Sequence, residues 1–197
     1  NPDCELAAFY NPTRKRAEDM AVKYGGKVYD TPEELLADPE IDAVSVCAAN
    51  YAHAELAIKA MRAGKDVLCE KPMAVTLEDC EAMVKVAKET GRTLMIAHNQ
   101  RFAKAHVKAK ALIDAGTIGR IVTFHTTFGH GGPETWSINP GKNTWFFDKS
   151  KAAMGAMADL GVHKTDLIHY LTGERVVRTT AKVATLDKRG ENGELIG

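Results

Sequence analysis

The chain has 197 residues, and its 26 Lys plus Arg are balanced by 26 Asp plus Glu, which argues against a nucleic-acid binder held by phosphate contacts. At 45 % hydrophobic and 26 % charged residues the composition is that of a globular protein rather than a disordered one, and a chain of this length hides about 70 % of its unfolded surface without disulfides or structural metal. No apolar stretch reaches bilayer length, and residues 1–20 show no basic start followed by an apolar run, so the expectation is a cytoplasmic protein with no membrane partner.

Cys4 to Tyr10 opens the chain as an apolar strand, and Asn11-Pro12 supplies an N-cap candidate and a first-turn proline for a helix reaching Gly25. Thr31 and Glu34 stand at capping-box spacing before a short helix that Pro39 stops. Ile41 to Ala48 is a continuous apolar run suited to a strand covered on both faces. It leads into a helix over 52–63 with Ala54, Ala57, Ala60 and Met61 on one side and Gly64 as its stop. Val67 to Cys69 is the next strand, Thr76 to Thr90 the next helix, and Thr93 to His98 the strand after it. Short connections between alternating strands and helices predict an α/β fold with a parallel sheet covered on both faces.

The pattern changes near residue 100, which sets expected domains at 1–100 and 101–197. Ala103 to Ala115 reads as a helix, and Arg120 to Phe128 alternates as a strand with one exposed face. Residues 129–151 form a long loop, followed by a helix from Gly155 to Leu171 and a strand from Val176 to Leu186. The four cysteines, Cys4, Cys47, Cys69 and Cys80, make no CxxC pair and are expected as reduced core residues.

Ligands of open parallel sheets bind beyond the carboxyl ends of the strands. Three successive strand ends here carry Asn50 and His53, then Glu70-Lys71-Pro72, then His98-Asn99-Gln100-Arg101. Each set has a plainer reading, as a helix start, a solvated turn or a surface charge. Their convergence on one sheet edge weighs towards a binding site. Asp159, His163 and Asp166 lie at i, i+4 and i+7 on one helical face, so a carboxylate there can orient an imidazole that acts as a general base. A surface charge pair is the alternative, and Asp166 is expected to be structural. His125 and His130 lack a visible third ligand, so no metal is expected. Trp136 and Trp145 offer an indole face to a sugar ring or to the core. There is no P-loop, GxSxG or HExxH, and Gly129-His-Gly131-Gly132 runs into Pro133 rather than a helix, unlike a dinucleotide fingerprint.

Ala49-Asn50 through His53, Glu70-Lys71-Pro72, Asn99 to Phe102, Ile118-Gly119-Arg120-Ile121 and Gly155 through Asp159-Leu-Gly-Val-His163 with Asp166 occur in an order and spacing that resembles the Gfo/Idh/MocA family of nicotinamide-dependent oxidoreductases. The resemblance implies a Rossmann-type doubly wound parallel sheet, followed by part of an α+β domain with an open, largely antiparallel sheet. It implies hydride transfer between NAD or NADP and a secondary hydroxyl of a sugar, cyclitol or related polyol, in an intact protein that is a homo-oligomer. Lys71, Asp159 and His163 match its catalytic and substrate positions, with Trp145 as a further substrate contact and Pro72 as a proline often preceded by a cis bond. Asn50, His53, Glu70 and Lys71 match the cofactor lining, and Asn11, Arg14, Asn99 and Arg101 join them as cofactor candidates. The family's first strand and GxGxxG loop are not found in the sequence, and the second domain looks cut at Gly197, so a fragment of a longer enzyme is expected. The segment Phe9-Tyr10-Asn11-Pro12-Thr13-Arg14 lacks the acidic residue that binds a ribose 2′-hydroxyl, and Arg14, Lys15 and Arg16 tilt the expectation towards NADP. A dinucleotide-binding sensor of the same fold, a redox-assisted glycosidase and a hydride donor to an unsaturated substrate are the alternatives.

Overall fold

The structure is a computed structural model that describes residues 3–138, 140–152, 154–190 and 192–195; Gly197, where the second domain looks cut, lies outside them. Two compact units divide the chain. One holds residues 1–48, 52–70 and 76–95, and the other 49–51, 71–75 and 96–197.

In the first unit, β1 (Ala8–Phe9) pairs in parallel with β2 (Lys27–Val28) across helix α1 (Arg14–Tyr24). Asn11 does not cap α1: its Oδ1 accepts from the Thr13 N–H at 2.9 Å, making a turn that postpones the helix to Arg14. Gly26, at φ 97°, is required for β2 to begin, because a Cβ there would meet the Leu6 and Ala7 carbonyl oxygens at 2.8 and 2.9 Å. Helix α2 (Pro32–Ala37) starts as expected, with Thr31 Oγ1 accepting from the Glu34 N–H at 3.2 Å. The buried Lys65 donates to the Asp38 carbonyl at the end of α2 at 2.7 Å. Asp38 itself collects the Tyr29 hydroxyl, the Glu40 N–H and Lys27, which together hold its carboxyl down to about 2.

Strand β3 (Ala43–Val46) pairs in parallel with β4 (Asp66–Cys69), and β5 (Leu94–Ile96) completes that sheet in the order β3-β4-β5. Helix α3 (His53–Arg62) packs on β3, β4 and α4 (Leu77–Thr90). Its buried Ala54, Ala57, Ala60 and Met61 recur at helical spacing, and three alanines let its backbone come close to its neighbours. Met83 of α4 has no exposed surface and contributes on the order of 2 kcal/mol by burial. Of the cysteines only Cys69 is a core residue, and burial pushes its thiol up to about 12. Cys4 and Cys47 are exposed and Cys80 is intermediate, which corrects the expectation for those three, because an apolar neighbourhood in sequence does not fix which way a side chain faces.

The second unit contains helix α5 (Lys104–Asp114), short helices α6 (Pro133–Trp136) and α7 (Lys149–Ala152), and α8 (Val162–Thr172), which packs on α5. A π-helical turn over Met157–Gly161 leads into α8. The expected strands over 120–128 and 176–186 form no ladder among the described residues. Val122, Val177 and Leu186 remain 81 %, 96 % and 85 % exposed. Alternation encodes a face, and a strand also needs a partner edge. Antiparallel pairing among the described residues is confined to a bridge between Arg189 and Leu195. No helix among the described residues is long and apolar enough to cross a membrane.

Candidate active site

Lys71 follows β4 after a single residue, and its peptide bond to Pro72 is cis. Within the second unit its ammonium donates to Asp159 twice, to the carboxylate Oδ1 at 2.9 Å and to the backbone carbonyl at 2.8 Å. The two side chains are 17 % and 15 % exposed, so this ion pair is screened far less than one on the surface. Asp159 occupies the π-turn, a widened coil that recurs at functional sites. Its other oxygen, Oδ2, meets His130 Nε2 at 2.9 Å.

The imidazole at this carboxylate oxygen was expected to be His163, one helical turn on. Asp159 lies in the π-turn and His163 in the regular helix that follows it. His163 stands in the first turn of α8, 8 % exposed, with the Phe128 ring edge-on at 5.8 Å. Lys164 lies 4.7 Å over the Phe128 ring and donates to Gln100 at 3.0 Å.

One further turn along, the buried Asp166 receives two guanidinium N–H groups of Arg101, one from Nε at 2.8 Å, and has His98 Nε2 at 3.7 Å. Arg101, taken from the sequence as a cofactor candidate, thus spends a bidentate face on a protein carboxylate and ties the 3-10 turn Asn99–Phe102 to α8. Arg101→Met is expected to cost about 3 kcal/mol, because it strands a carboxylate that is 9 % exposed. That corresponds to a fall of roughly 6 to 12 °C in Tm. Asp166→Asn costs less, because Arg101 is 40 % exposed and rehydrates. Calorimetric melting of both variants checks the ranking, and equal or reversed shifts refute it.

Asn50 opens the short turn before α3, is buried, and donates to the Ala152 carbonyl at 3.4 Å. His53 is 1 % exposed, and its Nε2 lies 3.0 Å from the Ala48 carbonyl, so this ring secures the end of β3. The Glu70 N–H donates to the Val46 carbonyl at 3.0 Å, and the Asn99 N–H to the Ala97 carbonyl at 2.8 Å. Arg14 pairs with Glu18 at 2.9 Å and with Asp30, and Lys15 pairs with Asp19. Trp145 stacks on Phe146 with centroids 3.9 Å apart. The indole beside the Lys71–Asp159 pair is instead Trp136, edge-on to His130 at 5.3 Å. Asn11, Arg14, His53 and Glu70 belong to the first unit, whereas Lys71, Asp159, His163, Arg101 and Trp145 belong to the second. His130 and Trp136 are the members of the cluster whose place there no periodicity announces; the GHGG run that carries His130 is the one signal.

Residues 1–98 match a family model described as an oxidoreductase family with an NAD-binding Rossmann fold, and residues 106–194 match the GFO/IDH/MocA C-terminal domain. Levoglucosan dehydrogenase of Pseudarthrobacter phenanthrenivorans is 40 % identical over 141 residues, which is 71 % of this chain and 35 % of that enzyme. The 1,5-anhydro-D-fructose reductase of Ensifer adhaerens is 33 % identical over 199 residues, covering 98 % of this chain and 57 % of the reductase. A solved structure of levoglucosan dehydrogenase in complex with NADH and levoglucosan superposes with a TM-score of 0.78 at 33 % identity, over 86 % of this chain and 45 % of that one. The chain thus spans about a third to a little over half of these relatives.

Proposed function

This chain belongs to the Gfo/Idh/MocA oxidoreductase family, and from that premise we propose that it serves an oxidoreductase moving hydride between a nicotinamide dinucleotide and a secondary hydroxyl of a sugar, cyclitol or related polyol. The observation that carries this reading is the doubly bonded Lys71–Asp159 pair, an ammonium fixed in a largely buried polar cluster. Alcohol oxidation takes a hydride from carbon and a proton from oxygen. In this reading the Lys71 ammonium stabilises negative charge as it develops on that oxygen, His163 accepts the proton, and Asp159 holds the ammonium in place. The dinucleotide, when bound, supplies the hydride acceptor. The sheet suits it: Glu70 immediately follows β4, at the carboxyl end of a parallel strand, where ligands of open α/β sheets bind. Residues up to about 100 would form the dinucleotide domain and those beyond it part of the substrate domain.

NAD is the cofactor we assign. Two of the three cations that tilt the sequence towards NADP are engaged by carboxylates, Arg14 by Glu18 and Asp30 and Lys15 by Asp19, and those carboxylates would repel a 2′-phosphate. The test is the full-length polypeptide incubated with NAD or NADP and a panel containing levoglucosan, inositols and 1,5-anhydro sugars, with reduced nicotinamide followed by absorbance. The expected outcome is turnover of a polyol with NAD preferred at least about tenfold in kcat/KM. Dinucleotide binding without turnover of any polyol would overturn the reading in favour of a sensor.

A further inference from the structure

The Gly129-His130-Gly131-Gly132 run plays no part in the mechanism above, yet it delivers an imidazole to the Asp159 carboxylate. Two donors face His130 Nδ1: the Gly132 backbone N–H at 3.0 Å and the Trp136 indole N–H at 3.4 Å. Neither group can accept, so Nδ1 keeps its lone pair and the ring hydrogen resides on Nε2. Nε2 then donates to Asp159 Oδ2 at 2.9 Å, while Oδ1 accepts from Lys71 at 2.9 Å. The carboxylate is pinned through both oxygens, from a loop on one side and from the ammonium on the other. Gly132 sits at φ 111°, a backbone conformation that a side chain would strain. The indole that bonds Nδ1 is held in turn edge-on to Phe146 at 5.1 Å.

We propose that His130 is a positioning residue for the reaction: a neutral imidazole locked as the Nε2–H tautomer, which orients Asp159 and through it the Lys71 ammonium. The proposal rests on the hydride-transfer reading for its consequence and on the hydrogen bonds alone for its geometry. It separates His130 from the proton transfer assigned to His163, since a ring whose Nδ1 already receives two N–H groups is a fixed donor and not a base.

The two nitrogens can be separated by substitution. In His130→Gln the side-chain amide nitrogen falls near the place of Nε2 and keeps a donor for Asp159. In His130→Asn the amide falls near Nδ1, keeping an acceptor for Gly132 and losing the bond to Asp159. In the full-length polypeptide, His130→Gln is expected to stay within about threefold of the parent kcat, while His130→Asn and His130→Leu lose roughly 10 to 100-fold with little change in dinucleotide affinity. The reverse order, with His130→Asn active and His130→Gln not, would mean that the ring only shapes its loop, and would overturn the proposal. A second readout needs no activity: the 1H–15N correlation of the Lys71 ammonium, assigned by its loss in Lys71→Met. That signal is expected in the parent and in His130→Gln and is expected to broaden away in His130→Asn and His130→Leu. Its persistence in all four overturns the proposal. A parent that turns over no polyol but shows this pattern sinks the functional reading and leaves the positioning role standing.

Discussion

Lys71→Met is expected to lower kcat by roughly a thousandfold while dinucleotide affinity stays within about threefold. Methionine fills nearly the volume of lysine but brings no charge to an oxygen that gains charge only as hydride departs, so the loss falls on the transition state and not on binding. Lys71→Arg restores little, because a planar guanidinium cannot take the place of a compact ammonium bonded at 2.9 and 2.8 Å to one residue. Asp159→Asn is milder, about 10 to 100-fold, because the backbone carbonyl that Lys71 also uses is untouched and the amide oxygen still accepts. Steady-state kinetics on a polyol the parent oxidises, beside a fluorescence titration with NADH, separate these effects. Turnover of Lys71→Met within tenfold of the parent would remove Lys71 from the reaction. Melting curves are needed alongside, since Lys71→Met leaves a carboxylate that is 15 % exposed without its cation.

Local signals in the first hundred residues translate directly into structure. Thr31 and Thr76 accept from the N–H three residues on, at 3.2 and 3.1 Å, and the runs at 41–48 and 67–69 become paired parallel strands. Strand β2 leaves no signal in the sequence because two residues, Lys27 and Val28, carry no period at all. The segments 120–128 and 176–186 fail for a different reason. Their alternation specifies which side chains face inwards, and nothing in it names the edge that must supply the hydrogen bonds. Among the described residues the parallel pairs β1/β2 and β3/β4 share no ladder with each other.

The site was legible to different depths. Lys71 and Asp159 stand 88 residues apart, a pairing that spacing cannot suggest and that resemblance alone brought together. Helical geometry joined Asp159 to His163 but gave no sign of the π-turn that carries Asp159, or of the contacts that Lys71 and His130 make to its two oxygens. The charge of Arg101 could be read, and its partner could not: Asp166 lies 65 residues further on and claims two of its N–H groups. His130 depends on the conformation of a glycine-rich loop, which leaves no periodic trace.

His163→Asn carries the second large effect, an expected loss of roughly 10² to 10⁴ in kcat. The residue is 8 % exposed, with the Phe128 ring centroid 5.8 Å away, so bulk water cannot readily replace it in the proposed role of proton acceptor. Exogenous imidazole is expected to restore part of the turnover of His163→Ala and none of that of Lys71→Met, since the first lacks a base and the second a charge. In the proposed mechanism the two groups act on one oxygen in one step, one taking its proton and the other stabilising what remains. Once either is gone the other has little left to act upon, so the Lys71→Met/His163→Asn double variant is expected to be only slightly slower than the slower single variant. Losses that multiply would place the two residues in separate steps and sink the assignment of His163 as the base that works with Lys71.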